Sequence, residues 1–469
     1  MTINIVVSRF GYHIKKNELT SDQYKLLTPI IKPIVIKGYT KKVPSVICYK
    51  ETTNSIIVPI YYTEEMIKKH KMSVTYKYTE DNSKNISVPF IGTPRPYQVD
   101  LIQNIMKHLE TDNRCIMKLA TGGGKTFSSL NLLSLIGKKT LIIVHKEFLM
   151  HQWLEQIKLF LPSAKVGFIQ QNKFEPDADI IIGMLQSLSM REYPEVLDIG
   201  LVLIDELPHI ASTVFSKALY RYSAKKIIGI SADHQRKDGL TPLLDWTLGK
   251  TITISTPETF QKVIVKVLPS GVETLVEKRM YLGGLNIQNL TNQLTANKQR
   301  TLVIIEQIIQ RYNESTTNCI LIVTDRVAHV KQMNEILLKR GIDTAVYIGG
   351  MTQDQRDQAT KSRVLCATYS MASEAFDLPK LNTLVMATPK KDINQVVGRI
   401  LRKQHDENPM IIDVYDKNSV FERWGYSRFK FYKKRGYTFQ TDVQHHHDNS
   451  DNASDVDNNE YSNVFSDNE

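Results

Sequence analysis

The sequence predicts an α/β protein: two tandem doubly wound parallel-sheet domains, a small mixed or β-rich domain in front of them, and a disordered acidic tail behind. Three observations lead there. From about residue 92, short β-branched runs alternate with amphipathic stretches; a glycine-rich loop joins one such strand to the next helix; and a second series of strands and helices follows residue 255. The chain's 469 residues are enough for two or three domains, each burying its own core. The expected divisions are 1–91, 92–255, 256–440 and 441–469.

Residues 1–91 mix apolar alternations, such as Ser55 to Tyr61 and Ile86 to Phe90, with Lys-rich turns, and carry no catalytic motif. The strand candidates of the next domain are Arg114–Leu119, Thr140–Val144, Ile180–Ile182, Leu201–Ile204 and Ile227–Ile230. Those of the following domain are Cys319–Val323, Thr344–Tyr347, Arg363–Ala367, Thr383–Met386 and Met410–Val414, with helices expected at Val330–Arg340 and Asn394–Arg402. After residue 440 almost nothing is apolar, and such a segment cannot offset the entropy of ordering. His445, His446 and His447 lie in that tail without a scaffold or spaced partners, so no metal site is expected there.

Composition narrows the function classes. No run of eighteen uncharged apolar residues occurs, and the N-terminus lacks the layout of a secretory signal, so the chain reads as neither secreted nor membrane-spanning. Cys48, Cys115, Cys319 and Cys366 are scattered, which argues against a disulfide framework or a zinc ribbon and for an intracellular protein, cytoplasmic or nuclear. The net charge is +11, and residues 441–469 hold eight acidic side chains and no Lys or Arg. Without those eight negative charges the first 440 residues carry +19, a balance that suits a polyanionic partner. A Lys-rich composition can equally reflect an AT-rich genome.

Leu119-Ala120-Thr121-Gly122-Gly123-Gly124-Lys125-Thr126 lies between a strand and a helix, where a nucleotide-phosphate loop belongs. Successive glycines can take positive φ and turn backbone N–H groups inward on an anion. Lys125 is then placed to reach the β- and γ-phosphates of ATP, and Thr126 to offer its hydroxyl to Mg²⁺. Leu119 stands where the strict pattern has its first glycine.

Asp205-Glu206 directly follows the apolar run Leu201–Ile204, so two carboxylates fall at the C-terminal end of a buried strand, where open α/β sheets place their ligands. Asp205 suits Mg²⁺ held through water, and Glu206 suits orienting or deprotonating an attacking water. His209 would face the second domain and sense the nucleotide. In Gln395-Val396-Val397-Gly398-Arg399-Ile400-Leu401-Arg402, an amide and two guanidiniums share one helix face at i, i+4 and i+7. Delivered to a γ-phosphate, such arginines offset the charge that develops there.

With these segments in hand, the chain resembles superfamily 2 DExH helicases of the XPB, UvsW and poxvirus transcript-release branch, from residue 92 to about 440. Arg95-Pro96-Tyr97-Gln98 resembles the segment in which Gln98 would hold adenine. Leu141–Lys146 with Gln152-Trp153 looks like motif Ia, and Ile182–Ser187 like motif Ib. Ser231-Ala232 looks like motif III, Val323–Arg326 like motif IV, and Ala367-Thr368 with Asp377-Leu378-Pro379 like motif V. The resemblance implies two RecA-like P-loop NTPase domains that open and close on ATP and step 3′-to-5′ along one strand. The track would be a single strand or a duplex junction, with DNA favoured over RNA and the transcription machinery as a candidate partner. Ser231, Ala232, His209 and Asp377 would couple hydrolysis to movement.

Two departures stand out. Asp233-His234 replace Thr-Pro in motif III, and Ala375 replaces a Gly in motif V. The altered motif III keeps an ATP-gated clamp with little turnover open, separable by nucleic-acid-stimulated hydrolysis, and an RNA helicase stays open because no motif identifies 2′-hydroxyl contacts. An unrelated P-loop kinase or transporter ATPase would leave the Gln395 to Arg402 pattern unexplained. The abundance of Ile, Asn and Lys fits an AT-rich source such as a large DNA virus, for which the host cytoplasm and the virion are the expected places.

Overall fold

Short β-branched runs become the central strands here because they are buried on both faces, as a parallel sheet requires. The computed structural model describes residues 2–32, 45–120, 122–191, 198–207, 218–219, 221–233, 235, 239–254, 261–280, 284–374 and 378–440. The tail from 441 onward, for which disorder is expected, lies outside the described residues. Contacts divide the chain into Met1–Pro257 and Glu258–Glu469.

Besides a short antiparallel pair of Ile30–Ile31 with Val46–Ile47, the first unit contains two main sheets. The smaller has five strands in the order Lys50–Glu51, Ser55–Val58, Gly11–Lys15, Ile3–Ser8, Val74–Tyr78, and the last two pair in parallel. Ile3, Ile5, Ile14, Ile56 and Val58 close its core against Met66 and Ile67 of the helix Ile60–Lys69. The apolar alternation at Ile86–Phe90 is not a strand. Ile86 N donates to Gly137 O, and the Phe90 ring packs on Phe127 and Phe160, so its apolar side chains face helices instead of a sheet.

The larger sheet has eight strands in the order Lys173–Phe174, Val166–Gln170, Ile180–Met184, Thr140–Val144, Leu201–Ile204, Lys226–Ser231, Arg114–Lys118, Thr251–Thr253. All pairings are parallel except the short hairpin at Lys173–Phe174. Every residue of Thr140–Val144, Ile180–Met184 and Leu201–Ile204 is buried. The two sheets are tied together by Arg114, whose guanidinium donates to Arg9 O at 2.8 Å and Thr247 O at 3.2 Å. Tyr62 adds a ring contact with Trp246, 4.7 Å between centroids.

The second unit has one seven-stranded, wholly parallel sheet: Thr344–Tyr347, Val364–Thr368, Ile320–Thr324, Thr383–Met386, Met410–Tyr415, Ile264–Pro269, Thr438–Gln440. Both large sheets are of the doubly wound kind, with ligand-binding loops expected at the C-terminal strand ends. The strands Val166–Gln170, Thr251–Thr253, Ile264–Pro269 and Thr438–Gln440 are additional to those read from the sequence.

Candidate nucleotide site and arginine helix

The strand Arg114–Lys118 leads into the glycine loop, and the helix Lys125–Ile136 leaves it, with Gly124 at the N-cap position. Gly122 and Gly124 have φ of +82° and +81°, the left-handed region that glycine enters without steric cost. Gly123 has a different constraint: an added Cβ would lie 2.8 Å from the Leu119 side chain and 3.0 Å from Ala120 O. Leu119 is buried beneath the loop and its N–H donates to Ser231 O at 3.1 Å, so the departure from the strict pattern is an apolar anchor. Lys125 and Thr126 are half-buried, and Thr121 lies outside the described residues.

Gln98 is buried against this loop. Its Oε1 accepts from Arg95 N at 2.9 Å, capping the helix Pro96–Thr111, and its Nε2 donates to Gly123 O at 3.0 Å. Tyr97 donates to the same carbonyl at 3.1 Å. The amide assigned to adenine by the resemblance is thus engaged within the chain in this conformation.

Asp205 and Glu206 stand just beyond the strand Leu201–Ile204. Asp205 N donates to Ile143 O at 3.0 Å, and Trp153 Nε1 donates to Asp205 Oδ2 at 2.8 Å. Burial, and then the neighbouring Glu206 carboxylate, push the Asp205 carboxyl up to about 6, against the field of Lys125. Glu206 has φ +53°, a strained conformation for a residue with a side chain, and such strain gathers at working sites. Ser231 is buried and its hydroxyl donates to Asp233 O at 2.7 Å. Asp233 in turn pairs with Lys118 Nζ at 3.2 Å, so the unusual motif III residue is tied to the strand that feeds the phosphate loop. Ala232 is half-buried beside them, whereas His209 and His234 lie outside the described residues.

The strands Thr140–Val144 and Ile180–Met184 are neighbours, and the segments after them are linked by Gln186 Nε2 donating to His145 O at 3.2 Å. This brings the motif Ia and Ib segments together at the C-terminal ends of two adjacent strands.

In the second unit the segment Asn394–Arg402 differs from the α-helix expected. Asn394–Val397 is α-helical and Gly398–Leu401 tightens to a 3₁₀ turn. In a three-residue repeat, Arg399 and Arg402 at i and i+3 eclipse each other, so the tightening keeps them on one side. Gln395 and Arg402 are half-buried and Arg399 is buried. Asp377 and Ala375 lie outside the described residues. Arg300, Tyr369 and Arg428 make structural contacts in the second unit that no motif assigned to them; buried aromatic and paired charged residues leave no periodic signal of their own.

Residues 91–236 match the family model for the type III restriction enzyme res subunit, and residues 280–404 that for the helicase conserved C-terminal domain. The chain is a superfamily 2 helicase. Among related proteins, one from Acanthamoeba polyphaga mimivirus named as a candidate ATP-dependent RNA helicase is 28% identical over 93% of this chain and 87% of its own length. One from African swine fever virus with the same description is 22% identical, covering 83% of this chain and 82% of its own length. A candidate helicase of Invertebrate iridescent virus 6 is 25% identical over 80% of this chain and 88% of its own length. Among solved structures, T4 UvsW aligns with 94% of this chain and 99% of its own at 16% identity and a TM-score of 0.37, too loose a likeness to argue from. As a superfamily 2 helicase the chain is an ATP-dependent enzyme acting on nucleic acid. Among the described residues no helix is long and apolar enough to cross a membrane.

Proposed function

We propose that this helicase hydrolyses ATP to move 3′-to-5′ along DNA, displacing a paired strand or a transcript. The observation that carries the reading is the pairing of a strained Glu206 with a charge-poised Asp205 in the field of Lys125, beside a glycine loop shaped for phosphate. In this reading Lys125 and the loop amides bind the β- and γ-phosphates. Glu206 orients the attacking water and accepts its proton, while Gln395, Arg399 and Arg402 meet the γ-phosphate from the second unit.

The donor set fits Mg²⁺: the Thr126 hydroxyl and the Asp205 carboxylate, with nucleotide phosphates completing the shell, need no larger protein cluster. When bound, the ion would neutralise phosphate charge during transfer. Trp153 engages one Asp205 oxygen and so fixes the carboxylate's rotation.

DNA as the track is supported by the restriction-enzyme family matched by the ATP-binding half. The excess of +19 over the first 440 residues suits a sequence-independent grip on phosphates. ATP hydrolysis should be measured with single-stranded DNA, duplex DNA and single-stranded RNA at rising salt, together with displacement of streptavidin from 3′- or 5′-biotinylated strands. Stronger stimulation by DNA and ATP-dependent release from the 5′ end are expected. Stimulation by RNA alone would put the chain with the RNA-helicase names of its viral relatives.

A further inference from the structure

Three carbonyl oxygens of one loop in the second unit are each caught by a buried side chain from a different element. The strand Thr383–Met386 runs out into Ala387, Thr388 and Lys390, and the arginine helix begins at Asn394. Arg300 Nη1 donates to Ala387 O at 2.7 Å, the Tyr369 hydroxyl to Thr388 O at 2.7 Å, and Arg428 Nη1 to Lys390 O at 3.1 Å. The same loop is also held by Asp325, whose N–H donates to Thr388 Oγ1 at 2.9 Å and whose carboxylate pairs with Lys390 Nζ at 3.1 Å.

The donors are themselves fixed. Arg300 forks Asp416 through Nε and Nη2, both at 2.9 Å, from the first turn of the helix Lys298–Glu314. Arg428, on the helix Ser419–Lys434, forks Asp413 with Nε and Nη2 at 2.8 Å, and Tyr432 donates to the same carboxylate at 2.9 Å. Arg300 and Arg428 are each only 1% exposed. Buried ion pairs of this kind are expensive to desolvate and are no better for stability than apolar packing. What they add is direction: a guanidinium that has forked a carboxylate still has donors left in a fixed plane. Those remaining donors are the ones on the loop.

The loop needs such a frame because the element it feeds is too short to orient itself. Asn394–Leu401 amounts to about two turns, and Ile393 at its N-cap offers no side-chain acceptor, the Asp392 carboxylate reaching Asn394 N only at 3.4 Å. Its direction is therefore inherited from the chain before it. We propose that Arg300, Tyr369 and Arg428 are positioning residues for Arg399 and Arg402, clamping Ala387–Lys390 so that both guanidiniums are presented in one fixed direction. The proposal rests on the role given to those arginines above.

Tyr369→Phe is the cleanest probe, since it removes one hydroxyl and leaves the ring packed. It should be measured in the full chain with whichever nucleic acid stimulates hydrolysis most. The expected result is a kcat lowered about tenfold, since small misplacements of a reacting group cost rates of this order. The KM for ATP, the nucleic-acid Kd and the melting temperature should stay close to wild type. Because Tyr369 acts through both arginines, Tyr369→Phe should slow the Arg402→Ala variant much less than it slows wild type, with only Arg399 left to misplace. Arg428→Lys, which keeps a charge for Asp413 but cannot also reach Lys390 O, should lower kcat in the same way at a melting temperature that shows it folded. Wild-type kcat in Tyr369→Phe, or a further tenfold loss in the double variant, would overturn the proposal. Undiminished kcat in Arg402→Ala would remove the role of the arginines, and the clamp with it.

Discussion

Gly124 shows how closely the phosphate loop is fitted to its neighbours. Its φ of +81° excludes an ordinary side chain, and an added Cβ would lie 2.2 Å from Gln98 Nε2. Gly124→Ala must therefore both strain the backbone and push away the amide that holds Gly123 O. We expect at least about a tenfold loss of affinity for a fluorescent ATP analogue, at a stability cost on the order of 1–2 kcal/mol. Affinity equal to wild type would show that the loop reshapes freely. The glycines, the lysine and the carboxylate pair were legible in the sequence because backbone conformation and charge restrict those positions to few residue types. Leu119 was legible only as an irregularity. Its reason, a side chain filling the space beneath Gly123, belongs to packing and has no local signature. The Lys118–Asp233 pair was hidden for the same cause, since its members are 115 positions apart in the chain.

Among the elements, the central strands were read correctly because burial on both faces selects unbroken β-branched runs. Strands at or next to a sheet edge, such as Val166–Gln170 and Thr438–Gln440, are only partly buried and carry few β-branched residues in a run, so they escaped. Ile86–Phe90 alternates like a strand yet lies against helices, since apolar spacing does not say what covers it. His329 illustrates how elements lock together. It is buried between the strand end at Thr324, 3.0 Å from Nδ1, and Thr301 of the helix Lys298–Glu314, 3.4 Å from Nε2. Burial, and then Arg300, depress the imidazole from 6.5 to about 4. Its folded value thus lies below the unfolded one, so the neutral ring contributes stability above pH 6.5 that is lost as pH falls toward 4. Melting of the full chain from pH 7 to pH 4.5 should show the gap between wild type and His329→Gln narrowing as acid is added. A gap constant across that range would mean that the ring does not titrate on unfolding.

Across the chain, two doubly wound sheets carry different motifs, a phosphate loop with carboxylates in the first unit and an arginine segment in the second, which the proposed mechanism draws together. The tandem architecture was legible because the strand pattern repeats, and the order of the motifs singled out the helicase family. The framing of the arginine helix by Arg300, Tyr369 and Arg428 was not, because the three residues come from separate elements and meet only in the folded unit. The most direct measurement is steady-state ATP hydrolysis by the full chain, with and without nucleic acid, for wild type, Lys125→Ala, Glu206→Gln and Arg402→Ala. Hydrolysis by wild type should rise with nucleic acid and fall by roughly 10²-fold or more in each variant, with Glu206→Gln still binding the nucleic acid. Stimulated turnover persisting undiminished in any of the three would contradict the assignment of that residue to the reaction.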